Sequence, residues 1–250
     1  MKKILFACDL DNTLIHSYRK KKEGDVCVEW LNGNEQGFIS GTVRDEMAGL
    51  QKYVDLIPVT TRSIEQYLRI RWKEDAVPAY AITTNGAIAL RRELVDESWR
   101  EVSERMVSRY KEELVRILAE LEKEDDYRVC RIVDSMYVFA SCKDGVDIAG
   151  KVKAYSSRTV LHVVASGRKI YFLPPEFNKG HALQRLIRQQ APDVVLAAGD
   201  SEMDIPMLEL ADLAFCKKEI FDSIQNPKKR LFRDEMDLLS SVRNFLEEIG

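Results

Sequence analysis

Two aspartates one residue apart, Asp9 and Asp11, end the apolar run ILFAC in the stretch ILFACDLDNTLI. Other short apolar runs end in polar groups too. Thr60, Thr61 and Arg62 follow DLIPV, Thr84, Asn85 and Gly86 follow AYAIT, and Gly199 and Asp200 follow VVLAA, with Asp204 one helical turn further on. Lys179 opens the helical pattern that precedes this last run. Carboxylates gathered at one point repel unless a cation neutralises them, and hard oxygen donors with few protein ligands suit Mg²⁺. One such carboxylate can attack phosphorus, and a second that carries a proton can serve the leaving oxygen. The charge on a phosphoryl group in transfer calls for a cation such as Lys179, a hydroxyl such as Thr60 and backbone N–H groups. Taken singly, these residues have plainer roles as caps, helix-start acids or a surface lysine, so the pattern carries the expectation.

The elements that must position these groups follow from the apolar runs. ILFAC, DLIPV, AYAIT, VVLAA and LAFC are continuous rather than alternating, as suits parallel strands covered on both faces. Helical spacing lies between them, at Val43, Met47, Leu50 and Val54, at Ile64, Tyr67 and Leu68, and at Ala182, Leu183, Leu186 and Ile187 before Pro192. The alternation predicts an α/β fold with a doubly wound parallel Rossmann-like sheet, whose ligands sit past the carboxyl ends of the strands. Between residues 87 and 173 the rhythm changes to helix, hairpin, helix, hairpin, with turns near Asp134 and Ser135 and at Ser166, Gly167 and Arg168. An inserted α+β cap domain over 87–173 is expected, within a catalytic core made of 1–86 and 174–250. Residues 16–41, with Asn32 and Gly33 as a turn, are expected to form a hairpin flap on that core. The basic run Arg19 to Lys22 within it suits a solvated turn. A last helix is expected from Met236 to Ile249.

Bulk composition narrows the function classes. The 250 residues are 45% hydrophobic and 32% charged, with a net charge of −3, which provides no global attraction to nucleic acid or an anionic membrane. No apolar stretch is long enough to suggest a membrane span, and the apolar start is too short for a secretory leader, so a cytoplasmic protein is expected. The five cysteines are scattered and form no C-x-x-C pair, consistent with reduced core thiols. His16 and His162 are lone histidines of the kind that are commonly structural or solvent-facing.

Four patches in order resemble the motifs of the haloacid dehalogenase superfamily of Asp-nucleophile phosphohydrolases. DLDNT matches D-x-D-x-T, VTTR the second motif, NKGHAL the third, and GDSEMD the pattern G-D-x-x-x-D. The position of the insert, with ITTNGA at its entry and YFLPPEFNKG at its exit, is similar to the Cof-like, type-two-B capped members. By that resemblance Asp9 is the nucleophile and a Mg²⁺ ligand, and Asp11 is the general acid/base, its carbonyl also on the metal. Thr60 binds the transferring phosphoryl, Lys179 bridges it to Asp9, and Asp200 and Asp204 complete or support the metal site. Thr61, Arg62, Asn85 and Gly86 are the expected substrate-binding residues. The chain departs from the common pattern at Asn12 and Thr61, where glycine is usual, and at Met203, where an asparagine amide is frequent and a thioether cannot replace it.

The resemblance implies a Mg²⁺-dependent phosphatase acting on a small phosphorylated metabolite, such as a phosphosugar. A phosphomutase of the phosphomannomutase type shares the aspartyl-phosphate chemistry and is the nearest alternative. A phosphorylation-dependent signalling module is disfavoured because its separate phosphoacceptor aspartate is missing from the end of the DLIPV run.

Overall fold

The computed structural model describes residues 2–249. They divide into two compact units, one built from the chain up to Val95 and from Lys179 onward, the other from Asp96–Asn178.

In the first unit a five-stranded parallel sheet, flanked by helices, runs in the order Lys229–Leu231, Leu213–Cys216, Val194–Gly199, Ile4–Cys8, Asp55–Pro58. Every residue of Ile4–Cys8 is buried, which explains a run with no polar alternation. Cys8 pairs in register with Ala198 on one side and Pro58 on the other, so three strands end together and their following loops share one edge. The edge strand Lys229–Leu231 is absent from the apolar-run pattern because it is short, charged and only half-buried. Helix Gly41–Leu50 buries Val43, Met47 and Leu50 and packs against the C-terminal helix Glu235–Ile249. Helix Lys179–Gln190 buries Ala182, Leu183 and Leu186, each large side chain contributing about 1.5–3 kcal/mol of apolar burial.

Tyr80–Thr83 differs from the expected third parallel strand. Its parallel link to the sheet is one bridge, Val59 to Ile82, and it otherwise forms an antiparallel sheet with Ile88–Arg91 and Leu94–Val95. The first of those two strands buries Ile88, Ala89 and Leu90, and both belong to the first unit, so the second unit starts at Asp96 rather than at residue 87. At its other end it extends through Asn178, beyond the expected 173.

Residues 16–40 form a three-stranded antiparallel flap, His16–Ser17, Asn34–Ser40 and Asp25–Leu31 in spatial order. Asn32 and Gly33 have φ of 50° and 77°, the paired positive values of a tight hairpin turn. The register slips on both sides of Glu29, between Cys27 and Glu29 and again between Glu29 and Trp30, marking a bulge. His16 is structural: its Nε2 lies 2.6 Å from Oδ2 of Asp25, which also accepts the N–H of Lys22 at 2.6 Å.

The second unit carries a four-stranded antiparallel sheet, in the order His162–Ser166, Lys169–Leu173, Tyr137–Cys142, Tyr127–Val133. The amphipathic stretch before it forms two helices, Glu97–Val107 and Lys111–Leu121, separated by a 3₁₀ turn at Ser108–Tyr110. Asp96 caps the first by accepting the N–H of Trp99 at 3.1 Å. A third helix, Ile148–Ser156, is capped likewise by Asp147, which accepts the N–H of Gly150 at 3.0 Å. Among the described residues no helix is long and apolar enough to cross a membrane.

Candidate active site

The shared strand edge gathers a buried, charged cluster. Asp9 continues the first strand's ladder, donating its N–H to the carbonyl of Ala198 at 2.9 Å, and its side chain is 7% exposed. Lys179, the first residue of its helix, places Nζ 2.5 Å from Oδ1 of Asp9 and 2.5 Å from Oδ1 of Asp204. The second oxygen of Asp204 accepts the N–H groups of Asp200 at 3.1 Å and Ser201 at 2.9 Å, and the Ser201 hydroxyl at 2.8 Å. Asp204 is therefore fully hydrogen-bonded as well as fully buried. Thr13 fixes the other oxygen of Asp9, its hydroxyl donating to Oδ2 at 3.2 Å.

Two glycines make this approach possible. A Cβ on Gly199 would lie 2.3 Å from Cβ of Asp204, and one on Gly180 would lie 2.5 Å from the backbone oxygen of Pro206. The glycine of GDSEMD lets its own aspartate fold back over it, and the glycine of NKG lets the lysine-bearing helix meet the next one.

Charge in the cluster is unbalanced. Asp9, Asp200 and Asp204 each offer a carboxylate oxygen within 4.8 Å of the others, against one buried ammonium. Burial raises the Asp9 carboxyl well above its usual range; Lys179 opposes this, while Asp204, Asp11 and Asp200 add to it. Asp200 is pushed up to about 6, by burial first and then by Asp204. Burial alone would favour neutral Lys179, but Asp204 and Asp9 outweigh it and hold the ammonium charged. A set of hard oxygen donors with surplus negative charge fits a divalent cation. The carboxylate of Asp200 has no hydrogen-bond or ion-pair partner among the described residues, so it is a donor open to such an ion.

The loops after the neighbouring strands line the same edge. The N–H of Val59 donates to the carbonyl of Cys8, and that of Thr60 to Ile82, so buried Thr60 sits between the two sheets. Thr60 Oγ1 accepts the N–H of Arg62 at 3.2 Å, and its carbonyl accepts the N–H of Asn85 at 3.0 Å. Asn85 and Gly86 lie in a buried turn with φ of 53° and 100°. Thr61 is partly exposed in the same loop.

Asp11 is placed differently from the other expected metal ligands. Its carboxylate is 48% exposed and lies outside the three-carboxylate group. It faces Arg62, which grips both oxygens, Nε to Oδ2 at 2.9 Å and Nη2 to Oδ1 at 2.8 Å. Asn12, immediately after Asp11, has φ of 66°, in the left-handed region. Its side-chain oxygen accepts the ammonium of Lys20 at 2.8 Å. Arg62, an expected substrate-binding residue, also holds Glu29 of the flap, Nη1 to Oε2 at 2.8 Å.

Three residues at the site were not singled out by the sequence: Thr13 in its orienting role, Ser201, and Glu29. The spacing of D-x-D-x-T and the Ser after Gly-Asp carry the first two. The signal for Glu29 is a lone acid in an otherwise apolar strand candidate, VCVEW, with a glycine on the facing strand.

A profile of haloacid dehalogenase-like hydrolases matches residues 142–227. Among solved structures, the sucrose-phosphatase of Synechocystis sp. PCC6803, determined with sucrose and phosphate, is 16% identical with a TM-score of 0.69, covering 98% of each chain. A phosphatase of the haloalkanoate enzyme superfamily from Bacteroides thetaiotaomicron is 16% identical with a TM-score of 0.61, covering 98% of this chain and 95% of its own. A trehalose-6-phosphate phosphatase related protein is 18% identical with a TM-score of 0.59, covering 98% and 96%. At these identities the likeness is one of fold. No curated protein matches the chain significantly. The profile match, over residues 142–227, makes that part of the chain similar to haloacid dehalogenase-like hydrolases.

Proposed function

We propose that the protein is a Mg²⁺-dependent phosphatase that hydrolyses a small phosphomonoester through an aspartyl-phosphate on Asp9. The observation that carries this is the buried Asp9–Lys179–Asp204 arrangement beside the open carboxylate of Asp200. Asp9, Asp200 and the Asp11 carbonyl are the groups that would hold Mg²⁺, with Asp204 supporting the metal site through Lys179 and the Asp200 loop; the ion would supply positive charge for the phosphoryl oxygens. The similarity of fold to sugar-phosphate phosphatases supports a phosphosugar or related metabolite as the substrate class.

Thr13 and Lys179 fix Asp9 at both oxygens, so the nucleophile enters the reaction already oriented. A carboxylate oxygen of Asp9 attacks phosphorus, the bond from phosphorus to the leaving oxygen breaks, and Asp11 gives that oxygen a proton. Asp11, now ionised, takes a proton from water as the water oxygen attacks the same phosphorus. The bond from phosphorus to Asp9 breaks, and phosphate leaves. The Lys179 ammonium stays charged throughout, offsetting the negative charge that builds beside Asp9.

The test is phosphate release from a panel of sugar monophosphates, phosphoglycerate-type acids, nucleotides and 4-nitrophenyl phosphate, with Mg²⁺ or with EDTA. Release that requires Mg²⁺ and no bisphosphate activator supports the proposal. Strict dependence on such an activator, with the phosphoryl group returned to sugar, would establish a mutase instead.

A further inference from the structure

Arg62 is shared by two acids of opposite character. Its Nε and Nη2 hold half-exposed Asp11, while Nη1 holds Glu29, whose side chain is 6% exposed. Arg69 clamps the other oxygen of Glu29, with Nη2 at 3.1 Å and Nε at 3.2 Å, and Arg69 in turn meets Glu65 at 3.1 Å. The result is a chain of alternating charge, Asp11, Arg62, Glu29, Arg69, Glu65, buried at its middle and half-exposed at Asp11.

The flap is shaped to deliver Glu29. Its strand bulges on both sides of this residue, re-aiming the side chain, and the residue paired with it is Gly37. A Cβ on Gly37 would lie 3.1 Å from Oε2 of Glu29 and 3.2 Å from its Cβ. The glycine on the facing strand thus leaves room for the acid, which a side chain there would crowd. Glu29 is itself a buried residue.

We infer that Glu29 is a positioning residue for the proton transfer: it anchors Arg62, so that Asp11 can leave the guanidinium and reach the leaving oxygen without stranding a buried cation. The inference rests on the assignment of Asp11 as general acid/base. Arg62 is 10% exposed, and with Asp11 as its sole acid it would become an unpaired buried charge whenever Asp11 moved away. Asp11 would then be trapped in its fork. With Glu29 in place, Arg62 keeps one charge-assisted bond in either position of Asp11.

Proton donation matters most when the departing group is a poor one, and this separates positioning from mere support of the fold. An alkoxide needs a proton as it leaves, whereas 4-nitrophenolate departs readily without one. In Glu29→Gln, kcat for the sugar monophosphate hydrolysed fastest in the panel is expected to fall about 10- to 100-fold, within the range general acids supply. The kcat for 4-nitrophenyl phosphate should change far less, with KM for both nearly unchanged. Glu29→Asp, which keeps the charge but withdraws it from Arg62, should move the ratio in the same direction by less. Both substrates are assayed on one preparation, so the ratio does not depend on the fraction folded. Equal losses on both substrates, or none on either, would overturn the role of Glu29. Asp11→Asn assayed alongside separates the two assignments: if its loss is also equal on both substrates, Asp11 is not the acid.

Discussion

The ammonium of Lys179 lies 2.5 Å from Oδ1 of Asp9, and these side chains are 2% and 7% exposed. A second carboxylate, Asp204, lies equally close on the other side. One cation thus balances part of a charge that three acids create at the end of a buried strand, and the site's expected behaviour follows from that shortfall.

Removing the cation should damage stability as well as activity. Lys179→Met leaves Asp9 and Asp204 buried without their counter-ion, an error that costs about 3–5 kcal/mol. Thermal unfolding should show a Tm lowered on the order of 10 °C for a chain of this size. Adding Asp204→Asn to that variant should recover part of the loss, because one of the stranded charges is gone. Activity should stay absent in both.

A divalent cation should stabilise the protein through Asp200. Saturating Mg²⁺, at about 100 times its dissociation constant, adds about 2.7 kcal/mol and so raises Tm measurably. Asp200→Asn should erase this increment and leave the metal-free protein no less stable, since it removes one of the crowded carboxylates. Melting curves with and without Mg²⁺ test both statements.

Backbone proximity at Gly180 should be intolerant of a methyl group. Gly180→Ala pushes a Cβ to 2.5 Å from the backbone oxygen of Pro206, and backbone cannot yield as a flexible side chain does. A stability loss of about 1–3 kcal/mol is expected from overpacking. Since Lys179 is the preceding residue, kcat should fall in the fraction that remains folded.

Acid should weaken the second unit through Glu113. Its hydrogen bond with Arg116 is the main cause that holds it low, aided by Thr159, and takes it from an ordinary 4.5 to about 2. A depressed acid stabilises the fold above its unfolded value, and this stability is lost as pH falls through the folded one. The affected window therefore runs from about 4.5 down to about 2. Unfolding followed across that window should depend less steeply on pH in Glu113→Gln, by up to one proton.

The sequence disclosed the buried charged cluster more fully than its surroundings. Asp9, Lys179, Asp200 and Asp204 were legible because each follows or opens an element whose period is strong, and parallel strands bring their ends to one edge. The side-chain direction of Asp11 was not legible. It depends on an arginine 51 residues away in the chain. Glu29 was hidden by its bulge, which breaks the alternation that would mark an inward residue. The helix pattern from Trp99 to Leu121 concealed a 3₁₀ turn because both helices keep nearly the same apolar phase across it. The entry to the inserted unit was displaced because Ile88–Arg91 folds back on Tyr80–Thr83, a long-range choice that local pattern does not encode.

The central claim is that Asp9 carries the phosphoryl group, and acid quenching during turnover of a ³²P-labelled sugar monophosphate tests it directly. Mapping of the quenched protein should find the label on the peptide that contains Asp9, in a hydroxylamine-sensitive acyl linkage, and Asp9→Asn should neither label nor turn over. Label on another residue, or undiminished turnover by Asp9→Asn, would contradict the account.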